Sequence, residues 1–293
     1  WNAGQTEKDN SSAKLKKSDG YGVRWATTLN YEVQGLGDNH NLSFLVGNEV
    51  LASKSDYTEI YGVGYPEGFT MDDAFGMINM TTPSLGQDYF KGEIGTPNHT
   101  LSWFGRANYS YKGKYLLTAT FRADGSSKFA PSHQWGYFPA AAAAWRISDE
   151  AFMENTRDWL DNLKLRLSYG ITGNNNVGDY ATSYYTSGPS YAVIGGNEFQ
   201  GYYGNGIIDQ ALMWEKIKEF NFGVDFAVLQ NRINITADAY RRLADGQIMK
   251  STVPLETGES SLTTNIGSVQ NAGIELGVNF GVIRNQNFTW DVN

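Results

Sequence analysis

Long segments of this chain alternate between apolar and polar residues with a period of two, the pattern of a β-strand whose two faces meet different surroundings. In VRWATTLNYEV, residues 23–33, apolar and aromatic residues alternate with Arg24, Thr28 and Glu32. In LKLRLSYGI, residues 163–171, three leucines and a tyrosine alternate with Lys164 and Arg166. About ten such segments occur, many about nine to eleven residues long, the length a tilted strand needs to cross a bilayer. The pattern predicts an all-β, antiparallel chain.

The segments between the predicted strands alternate between short and long. Short connections are predicted at residues 35–41, 111–114, 230–231 and 284–287, and long polar ones at residues 52–100, 172–213 and 244–265. Residues 148–162 depart from this rule, because they fall on the short side and have the composition of a helical turn. Tight periplasmic turns and long extracellular loops are typical of an outer-membrane β-barrel, which the sequence therefore predicts.

Aromatic residues concentrate on or near the ends of the predicted strands, where they would mark the two membrane interfaces of a barrel. They are Trp25, Trp103, Tyr109, Tyr115, Tyr137, Trp145, Tyr169, Phe220 and Tyr240. Aromatic residues in the core of a soluble, carbohydrate-binding β-sandwich would give the same periodicity. Strand length and the alternation of short and long connections favour the barrel.

The net charge and the amino-acid composition exclude several classes of partner and of site. The formal net charge of −8 and pI near 5.0 argue against a nucleic-acid partner, which would require clustered Lys and Arg. The sequence has no cysteine, which excludes disulfides and Cys-ligated metals. It has no run of about 18 apolar residues, so no transmembrane helix is expected.

The sequence contains no recognisable pattern of catalytic residues. His40, His99 and His133 each stand alone in predicted loops, without the close partners that a metal site or a catalytic triad requires. Acidic residues such as Asp72, Asp73 and Glu198 could be nominated for glycoside hydrolysis, but sequence gives no carboxylate separation. We therefore expect neither a catalytic residue, nor a metal site, nor a cofactor.

The quoted segments carry a resemblance to a known family. FGRANYSYKGKYLLTATFRADGSSKFAPSHQWGYFPAAAAAWRISDEAFM, LKLRLSYGITGNNNVGDY, WEKIKEFNFGVDFAVLQNRINITADAYRR and IGSVQNAGIELGVNF, in this order, resemble barrel segments of the SusC/RagA family of TonB-dependent outer-membrane transporters of Bacteroidetes. The resemblance implies a transmembrane barrel of roughly 22 strands, of which residues 1–293 would supply about ten. A signal peptide, the plug domain and the C-terminal part of the barrel are expected to lie outside this chain, whose last residues, NFTWDVN, begin a new alternation.

The resemblance also implies a function and partners. The transporter would import a nutrient, with oligosaccharide as the expected substrate class, across the outer membrane together with a SusD-like surface lipoprotein, energised by TonB–ExbB–ExbD acting through the plug. Import of a peptide, as in the RagA branch, is the alternative within the family. Outer-membrane lipid would surround the barrel.

Two groups of site residues follow from the pattern and the resemblance. The first group would face the lumen of the barrel: Arg106, Arg122, Lys164, Arg166, Asp225, Asp238 and Glu275. The second group lies in a tyrosine-rich extracellular segment that would contact substrate or partner: Tyr180, Tyr184, Tyr185, Tyr191, Phe199, Tyr202 and Tyr203. Packing of this second group among neighbouring loops is the alternative to direct contact with substrate.

Overall fold

The computed structural model describes residues 12–65, 68–77, 89–95, 97–178, 186–195, 197–204, 207–284 and 288–292. The chain divides into two units, residues 1–24 with 51–99 and residues 25–50 with 100–293. The first two described strands are β1 (Ser12–Glu32) and β2 (His40–Val63), and each has residues in both ranges. Their lengths of 21 and 24 residues exceed the prediction, so the long connection expected from Ala52 starts instead as strand.

The second unit is built on one antiparallel sheet whose strands follow chain order. After β1 and β2 it contains β4 (Asn98–Tyr111), β5 (Tyr115–Ser126), β6 (Trp135–Arg146), β7 (Leu160–Asn174), β10 (Glu215–Val228), β11 (Ile233–Asp245), β14 (Ser268–Arg284) and β15 (Thr289–Val292). Each strand pairs with its predecessor in this series, and β1 and β15 are the two ends of the order. The predicted antiparallel run of about ten strands is confirmed.

Smaller elements lie in the connections. In the first unit β3 (Tyr89–Ile94) pairs with residues 56–61 of β2. The short helix α1 (Met71–Gly76) begins with a capping box, in which Asp73 Oδ2 accepts a hydrogen bond from the Thr70 N–H at 2.9 Å. Two hairpins, β8 (Thr186–Ile194) with β9 (Asn197–Gly204) and β12 (Ile248–Thr252) with β13 (Ser261–Asn265), occupy segments predicted as loops.

The predicted helical turn between β6 and β7 is two stretches of 3₁₀ helix. They span Ile147–Asp149 and Ala151–Thr156. A further 3₁₀ turn, Leu255–Thr257, lies between β12 and β13. Within the described part of the chain, no helix combines the length and apolarity required to cross a membrane.

The two faces of the sheet have opposite character, as the alternation predicts. On β7, β10, β11 and β14 one face carries successive in-register rows of apolar residues, for example Leu167, Phe222, Ala239 and Ile274. This apolar face is open to its surroundings, with Ile274 83% and Leu276 69% exposed. A β-sandwich would cover such a face with a second sheet. The exposure is the arrangement of a sheet whose apolar side faces lipid.

A cluster of buried hydrophobic residues in the second unit lies at one end of the sheet, where the longer connections are. It consists of Phe129, Phe138, Val177, Leu212 and Trp214, and we call it the rim cluster. The Trp214 ring lies 5.5 Å from Phe129 and 5.3 Å from Phe138 between centroids, and its Nε1–H donates to the Gln134 carbonyl at 2.8 Å. The rim cluster thus joins the connections that follow β5 and β7 to the segment that precedes β10.

Candidate functional site

An ion-pair cluster occupies the polar face of β7, β10 and β11, the face opposite the apolar rows. Register places Lys164 beside Asp225, and Arg166 beside Gly223 and then Asp238. Arg166 donates from Nε to both oxygens of Asp225 at 3.1 and 3.0 Å and from Nη2 to Asp225 Oδ1 at 2.9 Å. Lys164 Nζ lies 3.8 Å from Asp225. Four predicted lumen residues are therefore brought together.

A glycine leaves room for the ion pair of this cluster that spans three strands. Arg166 on β7 also donates from Nη2 to Asp238 on β11 at 3.1 Å, although β10 lies between these strands. At the crossing point β10 has Gly223, and a Cβ built there would lie 2.5 Å from Asp238 Oδ1 and 2.7 Å from the Arg166 guanidinium carbon. Any larger residue would therefore displace the ion pair.

A second ion cluster centres on Arg122 of β5, another predicted lumen residue. Its Nε donates to both oxygens of Asp124 at 2.7 and 2.9 Å, and its Nη2 donates to Ser102 Oγ at 2.9 Å and Glu49 Oε2 at 3.3 Å. Its guanidinium carbon lies 5.5 Å from the Phe104 ring centroid, within the range of a cation–π contact. Side chains from β2, β4 and β5 are thereby held on the same polar face.

The remaining two predicted lumen residues lie outside these clusters. Glu275 of β14 is in register with Asp238 and exposed on the polar face. Arg106 of β4 is in register with Thr120 and is also exposed. Both positions share the face of the ion clusters, and whether that face lines a lumen stays a prediction.

The tyrosine-rich segment is only partly covered by the structure. Tyr180, Tyr184 and Tyr185 lie outside the described residues. Tyr191 belongs to β8, and the last three belong to β9: Phe199, Tyr202 and Tyr203. The backbone of these four positions therefore forms one antiparallel hairpin, in place of the irregular loop that the sequence suggested. Their contact with substrate or partner stays a prediction.

One predicted interface aromatic residue lies on the other face. Tyr240 is in register with Asn221 and Gly273, on the polar side of the sheet. Its ring covers Gly273, where a Cβ would come within 2.9 Å of the Tyr240 hydroxyl. A large ring packs there because Gly273 leaves room for it, so Tyr240 does not belong to the aromatic residues on the apolar face.

Sequence reasoning missed an acidic residue at the short-turn end of the sheet. Glu150, between the two 3₁₀ stretches, accepts hydrogen bonds from the Tyr115 hydroxyl at 2.6 Å, Trp145 Nε1 at 3.0 Å and Lys114 Nζ at 3.1 Å. These bonds, with that from Tyr115 contributing most, lower the pKa of Glu150 from 4.5 to about 2. The separation of Glu150 from Lys114 in the sequence follows neither a strand nor a helix period, so this contact could not be predicted from the sequence.

The histidines take part in simple polar contacts. His40 Nδ1 lies 2.8 Å from the Tyr109 hydroxyl, and His133 Nδ1 lies 2.9 Å from Ser132 Oγ. Across the described ranges, no group of three or more His, Asp or Glu side chains is arranged to hold a metal ion. The chemistry that the two ion clusters offer is fixed charge and hydrogen bonding along one face of a sheet.

An antiparallel sheet in chain order, with one exposed apolar face and one ion-paired polar face, defines the wall of a membrane β-barrel. A family model described as TonB dependent receptor-like, beta-barrel, matches residues 2–293. The chain therefore belongs to this family, and the resemblance drawn from the sequence is confirmed.

Relatives with known names support the same assignment. The chain is 34% identical over 259 residues to TonB-dependent receptor P39 of Formosa agariphila, covering 87% of this chain and 23% of the relative. It is 37% identical over 202 residues to TonB-dependent receptor SusC of Bacteroides thetaiotaomicron, covering 68% of this chain and 20% of the relative. The chain thus spans about a quarter or less of the length of these relatives.

Solved structures show the same fold. The RagAB peptide transporter matches with a TM-score of 0.79 at 21% identity, over 98% of this chain and 30% of that chain. The siderophore receptor PirA from Pseudomonas aeruginosa matches with a TM-score of 0.52 at 12% identity, over 94% of this chain and 42% of that chain. The antiparallel barrel-wall architecture predicted from the sequence is confirmed.

Proposed function

We propose that this chain forms part of the barrel wall of a TonB-dependent importer in the outer membrane of a Bacteroidetes-type bacterium. The observation that carries the proposal is the division of the sheet into an exposed apolar face and an ion-paired polar face. Lipid surrounds the first face, and the second lines a lumen. Family membership supports this orientation of the two faces.

The polar face has the properties required for contact with a plug domain in the lumen. Asp225 and Asp238 are already paired with Arg166, so this cluster braces the wall. Arg106 and Glu275 are exposed on the same face and remain available to a plug. We assign Arg166, Asp225 and Asp238 to the rigidity of the wall. We assign Arg106 and Glu275 to contact with the plug, through which TonB–ExbB–ExbD would act.

Oligosaccharide is the substrate class we favour. Tyrosines in the segment 180–203 offer rings that stack on sugars and hydroxyls that hydrogen-bond to them. A SusD-like surface lipoprotein would close over the long loops and retain the substrate.

Peptide is the second candidate, favoured by a structural observation. The fold matches a protein named RagAB peptide transporter with a TM-score of 0.79. Tyrosine and glycine also suit peptide recognition. The tyrosine hydroxyl and the backbone at glycine can both form hydrogen bonds to an extended peptide. Neither substrate requires a catalytic residue in the wall, and we propose none.

Deletion of the gene for the full-length protein, followed by growth on panels of oligosaccharides and of peptides, tests the proposal. We expect lost growth on one panel, restored by the wild-type gene and only partly by a Tyr202→Ala/Tyr203→Ala variant. Unchanged growth on both panels, with the protein recovered outside the outer-membrane fraction, would overturn it. A defect confined to peptides would replace oligosaccharide by the second candidate.

A further inference from the structure

Charge on the apolar face of β7, β10, β11 and β14 is confined to one end. From the row containing Val228, Ile233 and Phe280 to the row containing Lys216 and Asp245, the register fixes seven rows of outward positions. The first four rows contain only apolar residues. The charged side chains of the last three rows are Lys216, Lys218, Arg241 and Asp245.

Three of these residues form what we call the basic rim patch: Lys216, Lys218 and Arg241. In-register neighbours on adjacent strands lie about 4.8 Å apart and successive same-face residues about 6.7 Å apart, so the patch has the dimensions of one or two phosphate groups. Lys218 pairs with Asp245 at 2.8 Å, whereas Arg241 donates to the neutral Gln270 Oε1 at 3.1 and 2.7 Å. The patch keeps a net positive charge on a chain of net charge −8.

The surroundings of the patch identify the kind of partner. Tyr169 and Phe220 are adjacent in one row, with Arg241 beside them, and both rings are about half exposed. Below them the outward positions are aliphatic or aromatic down to the short turn at residues 229–232. A lipid places its acyl chains against such rows and its headgroup against the patch. Arg and Lys are the side chains that best bind phosphate.

We propose that the basic rim patch binds the phosphate groups of a phosphorylated lipid in the outer leaflet of the outer membrane. This inference rests on the proposed function, because the short turns must be periplasmic for the patch to lie in the outer leaflet. Bound phosphate would neutralise the patch and fix an annular lipid against β10 and β11. Each cation near a charged lipid surface contributes about fivefold to binding.

Native mass spectrometry of the detergent-purified, full-length protein tests the proposal, with lipid A carrying its phosphates and lipid A treated with phosphatase as probes. We expect the wild type to prefer the phosphorylated form, a comparison that requires no variant. The double variant Lys216→Gln/Arg241→Gln should bind the phosphorylated form about 25-fold more weakly. Lys112→Gln/Arg157→Gln removes two cations near the short-turn end and should leave binding unchanged.

Equal binding of the two lipid forms by the wild type would overturn the inference, as would equal losses in the two double variants. Normal nutrient uptake together with either result would leave the proposed function standing. Labelling of the variant Lys250→Cys, in β12, from the periplasmic side would instead overturn the orientation on which both proposals depend. These readouts separate failure of the lipid site from failure of the transport proposal.

Discussion

Arg166 on β7 and Asp238 on β11 form a 3.1 Å ion pair across an intervening strand, above Gly223 of β10. Through Asp225 the same guanidinium also bonds to β10 itself. Three consecutive strands are therefore joined by one side chain in addition to their backbone pairing. Bidentate and charge-assisted hydrogen bonds of this type are the stronger ones in proteins.

Substitution of Gly223 by alanine should destabilise the barrel. The new Cβ would lie 2.5–2.7 Å from the side-chain ends of Asp238 and Arg166, so these ends must move apart and their hydrogen bond is lost, at a cost of about 1 kcal/mol. The measurement is the denaturant midpoint of the full-length protein in detergent. Gly277→Ala on β14 is the matched control, because its nearest neighbour, the Thr236 carbonyl, is 3.9 Å away. Equal midpoints for the two variants would contradict the role assigned to Gly223.

Glu150 should give the short-turn end of the sheet a distinct acid sensitivity. Because its pKa is lowered from 4.5 to about 2 in the folded protein, its charge stabilises that state fully above pH 4.5. This contribution is lost as the pH falls from 4.5 towards 2. The difference in melting temperature between wild type and Glu150→Gln should therefore be constant above about pH 5 and shrink below it.

Glu154→Gln is the control for the acid experiment. Glu154 is 69% exposed and lies 3.7 Å from its partner Arg157, so screening by water leaves its charge little influence on stability. Its melting curve should follow that of the wild type over the whole range. A Glu150→Gln difference that stays constant down to pH 2 would show that the three hydrogen bonds do not favour the carboxylate.

The apolar and polar faces could be predicted from the sequence, whereas the ends of the strands could not. Leu167, Phe222 and Ile274 alternate with polar neighbours because each strand separates two surroundings, and this period is visible locally. The bond from Trp214 to the Gln134 carbonyl joins positions 80 residues apart and leaves no periodic trace. The same limit applies to Glu150 and to Arg166, whose reach to Asp238 depends on Gly223 in a third segment.

The rim cluster should depend on both the ring and the N–H group of Trp214. Trp214→Ala opens a cavity beside Phe129 and Phe138 and should cost about 3–5 kcal/mol. Trp214→Phe keeps much of the ring but removes one of the two hydrogen bonds to the Gln134 carbonyl, which still accepts from the Ser126 N–H at 3.1 Å, at a cost of about 1 kcal/mol. Unfolding of the full-length protein measures both changes. Trp103→Phe, at a site 54% exposed on the apolar face, should cost less than either, and a larger cost there would argue against a distinct rim core.

Charge placed at the middle of the apolar face should be more costly than the same charge on the polar face. Ile274 lies in the fourth of the seven outward rows and is 83% exposed, so Ile274→Lys would put an ammonium group in the hydrocarbon, at a cost of about 2–4 kcal/mol. Asn271→Lys, three residues earlier on the same strand, puts that group on the polar face beside Arg242 and should be tolerated. Folding of the two full-length variants into lipid vesicles, followed by gel mobility with and without heating, measures the difference. If both variants fold equally well in lipid, the apolar face does not contact the membrane, and the proposed transporter wall would have to be abandoned.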